Sequence, residues 1–276
     1  MGNEIVVETK SLAVELKESH IIIQYDDFAI YEGDFVLVHG KNGAGKSTFF
    51  NLFQNSMFNY FSKSQGELYY YEDGKAVKVF SCSEREKEHL RRKIVIIDQK
   101  DDYEKYDSGY DVLVNKSKTA IKNEFDKNKE AQKSLLCKMK SRAEELFNEY
   151  LKDDFCCDFK EFKFRRVSSW SGGQIKMIHI LSGVLKAELM GARLLLMDEP
   201  LNNLDKEYKL KVNELLKGLM AGKIAIMVIT HCHVFEGINK GMTYVKETDK
   251  SYKAKISETT PRPNLECLSQ LREEME

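Results

Sequence analysis

The stretch Leu37–Phe50, LVHGKNGAGKSTFF, constrains this chain more than any other. Glycine inside a regular element costs roughly 0.5–1 kcal/mol relative to alanine, so a cluster of glycines needs a purpose. Gly40, Gly43 and Gly45, with Lys46 and Ser47, satisfy the spacing G-x-x-x-x-G-K-[ST]. Backbone N–H groups of Asn42, Gly43, Ala44 and Gly45 can turn inward on a polyphosphate in such a loop. A helix starting near Lys46 adds unpaired N–H groups and the positive end of its dipole. Lys46 then reaches the β- and γ-phosphates, and the Ser47 hydroxyl, followed by Thr48, faces Mg²⁺. The run Asp34–His39 supplies the strand that the pattern needs before it. By itself the loop says nucleotide triphosphate and no more.

A chain of 276 residues, 42% of them hydrophobic, can build one large domain or a domain with a subdomain. Its 43 basic and 44 acidic residues nearly cancel. That balance offers no global attraction to nucleic acid or anionic lipid, so nucleic acid is not indicated as a partner. No apolar run approaches the ~18 residues of a membrane span. MGNEIVVETK lacks the basic-then-apolar order of a secretory signal, and Val6 stands where N-myristoylation wants a hydroxyl. The six cysteines form no C-x-x-C framework, which fits free thiols in a reducing cytosol.

Along the chain, EIVVE, LAVEL, HIIIQY and FVLVH read as a strand-rich start punctuated by turns. GELYYYEDGKAVKVF reads as a hairpin turning at Asp73-Gly74. Ser83 and Glu86 form a capping box before a charged helix, and IVIIDQ is a short buried strand. Within 115–152, Leu135, Met139, Ala143, Leu146, Phe147 and Tyr150 recur at helical spacing, which predicts an amphipathic helix. Residues of about 100–170 read as a helical subdomain inserted into an α/β core. Strand–helix alternation then resumes with ARLLLMDEP, a helix over 205–221 and KIAIMVITH, which argues for a mainly parallel sheet. A final hairpin, MTYVKE to SYKAKI, precedes TTPRPN and a short terminal helix. One domain over 1–250 is expected, with a strand and short helical tail at 251–276.

Two further stretches carry chemistry. In RLLLMDEPLNNLD, an apolar strand delivers Asp198 and Glu199 to its end. Beside a phosphate loop, Asp198 is placed for the Mg²⁺ shell, and Glu199 for a water attacking the γ-phosphate. In SSWSGGQ, Ser168–Gln174, a serine and two glycines before a helix form a second anion-receiving N-terminus. His231, Cys232 and His233 have no further ligands at zinc-like spacing, so they are not read as a metal site.

In this order the stretches resemble the ATP-binding cassette (ABC) ATPases over about residues 4–250. GKNGAGKST matches Walker A, Gln99 the Q-loop, SGGQ the signature, LLLMDEP Walker B, LNNLD the D-loop and VITH the switch histidine. The resemblance implies an α/β fold: a P-loop NTPase core with a mainly parallel sheet, an N-terminal antiparallel β subdomain and an inserted α-helical subdomain. It also implies a head-to-tail pair of protomers, identical or merely related. Each ATP would then lie between one protomer's Walker A and the other's signature. Ser171, Gly172, Gly173 and Gln174 would meet the partner's nucleotide, and Asp205 would couple the two sites. Glu199 would be the catalytic base, His231 would contact the γ-phosphate, and Gln99 would touch Mg²⁺ and the water.

This sequence departs from the family at several points. No aromatic stands in VELKESH, where an adenine-stacking ring is expected, and His20 is the ring-bearing residue there. Trp170 replaces the usual leucine, and Ile175 and Met177 replace polar residues after the signature. The segment KDDYEKYDSGYD after Gln99 is unusually charged. The leading expectation is the ATP-binding subunit of a transporter, peripheral on the cytoplasmic face and powering a separately encoded transmembrane subunit. The alternative is a soluble, non-transport ABC ATPase acting on nucleic acid or on a partner effector in regulation or defence.

Overall fold

The N-terminal apolar runs pair with one another before the chain reaches the sheet centre. The computed structural model describes residues 3–53, 61–99, 107–230 and 234–258. EIVVE and LAVEL are one strand, β1 (Ile5–Leu16), rather than two. Its register shifts after Lys10, and Ser11 takes the left-handed φ of 46° there, so the break is a bulge inside a strand and not a turn. Strands β2 (Ile22–Tyr25) and β3 (Phe28–Tyr31) both pair antiparallel with β1.

Strand β4 (Phe35–His39) leads through the glycine loop of residues 40–45 into helix α1 (Lys46–Asn51). The hairpin of β5 (Phe61–Glu72) and β6 (Lys75–Lys78) turns at Asp73-Gly74, whose φ angles of 49° and 71° suit a tight two-residue loop. Helix α2 (Glu84–Lys93) opens with the Ser83–Glu86 capping box and leads into β7 (Ile94–Ile97).

The stretch 115–152 is two helices, not one. Helix α3 (Gly109–Glu124) ends at Phe125, and Asn128 caps a new helix, α4 (Lys129–Tyr150), by accepting from the Ala131 N–H at 3.1 Å. Asparagine offers the backbone a competing hydrogen bond, so it starts helices better than it continues them. The named periodic residues all fall on α4, with Met139, Ala143, Leu146 and Phe147 buried. Short helices α5 (Lys152–Phe155) and α6 (Phe159–Phe162) and a tight turn at Val167–Ser169 then lead to α7 (Gly172–Met190). Trp170 fills this subdomain's aromatic core. Its ring stacks on Phe162 at 5.4 Å and meets the edge of Phe155 at 4.8 Å. A Cβ on Gly109 would sit 2.2 Å from the same indole.

After α7 come β8 (Leu194–Asp198), α8 (Lys206–Ala221), β9 (Ala225–Ile229), β10 (Lys240–Thr248) and β11 (Ser251–Ser257). The sheet order is β6-β5-β1-β2-β11-β10-β4-β9-β8-β7, with β3 on β1. From β10 to β7 every neighbouring pair is parallel, whereas the β1–β2–β3–β5–β6 portion is antiparallel. Side chains alternate across a strand. Phe35, Leu37, Leu195, Met197, Ile226 and Val228 therefore join the cluster under the helices. Val36, Val38, Leu194, Leu196, Ala225 and Met227 join the cluster on the β-rich side. Strands apolar on both faces belong in a sheet covered on both sides. The short helix expected after TTPRPN and residues 100–106 of the charged segment lie outside the described residues.

Candidate nucleotide site

The parallel strands end on one edge, where α/β sheets place their ligands. Strand β9 lies between β4 and β8, so the loop after β4 and the end of β8 face each other across one strand. Ser47 Oγ donates to Asp198 Oδ2 at 2.6 Å, joining residues 151 positions apart. Lys46 is buried, and its Nζ donates to the carbonyls of Gly40 at 2.8 Å and Lys41 at 3.3 Å. Gly45 caps α1 with a left-handed φ of 89° and packs on Ile23, so a side chain there is strained. These groups open onto a cleft of about 580 Å³ lined also by Asn42, Gly43, Thr48, Gln99 and Glu199.

Glu199 follows Asp198 and lines the same cleft; its φ is 47° and its N–H donates to the Ile229 carbonyl at 2.8 Å. A non-glycine residue in this conformation is held by its surroundings. The residue is 8% exposed and forms part of the cleft wall. Gln99 enters the cleft from just beyond β7. Its backbone is held from α7, where the buried Lys176 donates to the Gln99 carbonyl at 3.1 Å. The Ser47 hydroxyl, the Asp198 carboxylate and the Gln99 amide are hard oxygen donors of the kind Mg²⁺ takes. Among the described residues no cluster of three or more His, Cys, Asp or Glu is arranged to hold a metal.

The signature residues do not line this cleft. Ser171 is the exposed N-cap of α7, accepting from Gln174 N–H at 3.2 Å while Gln174 Oε1 accepts from Ser171 N–H at 3.0 Å. Gly172 is exposed beside it. Ile175 and Met177, apolar where the family is polar, are buried in the helical core. Asp205 is likewise away from the cleft, capping α8 through the Tyr208 N–H at 3.0 Å. His231, with Cys232 and His233, lies outside the described residues.

Leu16, Asn51, Asn202 and Ile229 also line the cleft. Asn51 sits one turn beyond Ser47 on the same helix face, a spacing legible in the sequence. Asn202 belongs to LNNLD. Leu16 ends β1, and it stands at the cleft where His20 does not. His20 is exposed in the following turn, with Nδ1 2.7 Å from Glu15 Oε1.

The sequence profile of the ABC transporter family matches residues 23–202. An ABC transporter ATP-binding protein of Methanocaldococcus jannaschii is 29% identical over 225 residues, covering 76% of this chain and 81% of that protein. One of Clostridium tetani is 26% identical over 235 residues, covering 85% of this chain. This chain spans only 45% of that relative's length. A dimeric ATP-binding cassette solved in a post-hydrolysis state with ADP and Pi is 21% identical, with a TM-score of 0.59, covering 86% of this chain and 93% of the other. With a family match over most of its length, this chain belongs to the ABC transporter family, and the fold around the cleft is that of an ATP-binding cassette.

Proposed function

We propose that this chain is the ATP-binding subunit of a transporter, acting as a head-to-tail dimer on the cytoplasmic face of a membrane and driving a separate membrane-spanning chain. The observation that carries the dimer is the position of Ser171, exposed at the start of α7 and outside its own cleft. A helix N-terminus with a free face receives anions, and a second protomer's nucleotide is the anion available to it. The names of the relatives support the transporter assignment. Among the described residues no helix is long and apolar enough to cross a membrane.

In the closed dimer the Lys46 ammonium exchanges its loop carbonyls for β- and γ-phosphate oxygens. Ser47, Asp198 and Gln99 are the residues that would hold Mg²⁺. When bound, the ion neutralises charge on the phosphate oxygens. The backbone N–H groups of Asn42–Thr48 cradle the phosphates, and Leu16 offers an aliphatic wall to the base. Glu199 orients and deprotonates the attacking water, and His231 contacts the γ-phosphate, as the family resemblance implies. Ser171, Gly172, Gly173 and Gln174 close the site from the partner, and Asp205 meets the opposite loop. Such chemistry needs charge neutralisation and alignment more than covalent steps.

The test is Glu199→Gln, purified from cells with ATP, with and without detergent. A stable ATP-dependent dimer that brings a multi-span membrane protein with it is expected. Soluble companions alone would overturn the transporter assignment in favour of a soluble ABC ATPase acting on an effector. A protein that stays monomeric with ATP would overturn the head-to-tail closure.

A further inference from the structure

Helices α7 and α8 start at Ser171 and Asp205, and one polar chain ties these starts together inside this molecule. On α8, Lys211 Nζ lies 2.6 Å from Asp154 Oδ2 and 2.8 Å from Glu207 Oε1. Asp154 belongs to α5, and its backbone carbonyl accepts from Gln174 Nε2 at 2.9 Å. Gln174 in turn accepts from the Ser171 N–H. The two loops also touch directly. A Cβ on Gly173 would lie 3.5 Å from the Asn203 carbonyl and 3.7 Å from the Tyr208 ring.

We propose that the Lys211–Asp154 ion pair is a latch that fixes the Ser171–Gly173 turn relative to Asp205, so that both reach the partner protomer as one rigid unit. The inference rests on the head-to-tail reading above, and Lys211 is a positioning residue in it. Glu207 alone, one turn back on the same helix, would satisfy Lys211 locally. Reaching Asp154 as well immobilises a long side chain across two subdomains, and the side chains of Lys211 and Asp154 are only 22% and 16% exposed. Screening is weak for such a pair. The ammonium also separates two carboxylates, Asp154 and Glu207. Without it their repulsion pushes α5, a helix of four residues, away from α8. The Gln174 contact moves with α5, and the seat of Ser171 loosens.

The experiment uses the full chain carrying Glu199→Gln. ATP-dependent dimerisation is measured by sedimentation velocity, and nucleotide affinity by titrating a fluorescent ATP analogue at concentrations where the protein is monomeric. Lys211→Met should weaken dimerisation about tenfold, equivalent to ~1.4 kcal/mol. Monomer affinity for the nucleotide should change by less than about twofold, since Lys46 and its loop are untouched. Lys211→Arg should dimerise like the parent. Adding Asp154→Asn to Lys211→Met should recover part of the loss, because the repulsion is gone. Dimerisation of Lys211→Met as tight as the parent's, or an equal loss in monomer nucleotide affinity, overturns the latch. If Lys211→Met does not fold, Asp154→Asn alone carries the test, with weaker dimerisation expected and unchanged dimerisation overturning the proposal. A parent that never dimerises with ATP takes down the head-to-tail reading first and the latch with it.

Discussion

Trp170→Leu restores the residue the family usually carries before the signature serine, yet it should destabilise this chain. Trp170 is 9% exposed, so nearly all of its ring is withdrawn from water. Leucine would bury on the order of 70 Å² less apolar surface, worth ~1.8 kcal/mol at about 25 cal/mol per Å². Two aromatic contacts are lost as well, the stack on Phe162 and the edge contact with Phe155. Pairs of this kind add about 0.5–1.5 kcal/mol each beyond burial. Partial collapse of the surroundings returns some of this, so the net loss is about 3 kcal/mol, within the range for emptying a core site. The melting temperature should fall by roughly 6–12 °C. Trp170 is the single tryptophan of the chain, so the variant has no indole fluorescence to follow. Unfolding is therefore followed by far-UV circular dichroism in urea, with ATP KM measured in parallel. KM should stay within about twofold, because the ring lies in the helical core and not at the cleft. A variant within about 0.5 kcal/mol of the parent would refute the assignment of the ring to the core, since surface substitutions fall in that range.

Two other perturbations follow from ion pairs. Lys240 and Asp34 form a buried pair at 2.8 Å, and Asp34 also accepts from Asn239 Nδ2 and the Tyr31 N–H. Lys240→Met should cost about 3–5 kcal/mol in urea unfolding by leaving a buried carboxylate uncompensated, and adding Asp34→Asn should recover part of it. Glu72 ties β5 to α2 through His89 and Lys93. Burial pushes its pKa up, but hydrogen bonds and charge from those two partners outweigh this and hold it below its ordinary value. A depressed carboxylate pKa stabilises the fold above the unfolded-state value, and that contribution is lost as pH falls through the folded-state value. Glu72→Gln should therefore be less stable than the parent at pH 7, by no more than about 1 kcal/mol after solvent screening. The gap should close as the pH drops below about 4, and a gap that is constant with pH would rule out the electrostatic origin.

Local features of the sequence were legible because they obey backbone periodicities. The loop glycines, the Ser83–Glu86 box, the Asp73-Gly74 hairpin and the apolar run Phe35–Val38 each need only a few neighbouring residues. Where the chain deviates over the same short range, the pattern misled. Ser11 breaks the β1 run as a bulge, which looks like a turn when only the sequence is seen. Asn128 splits a helical stretch whose apolar spacing continues across it.

The sequence by itself determined which chemical groups this protein carries and in what order: a lysine-bearing glycine loop, a strand ending in two carboxylates, and a serine–glycine helix start. Only the tertiary structure decided which of them meet. The strand order puts β9 between β4 and β8, and so brings Ser47 to Asp198 across 151 residues. It sets Leu16 rather than His20 at the cleft, sends Trp170 inward against Gly109, and joins Lys211 to Asp154. Spacing along a chain fixes the direction of side chains within one element. Contacts between elements depend on how sheets and helices pack to cover their apolar faces, and that balance is struck over the whole molecule.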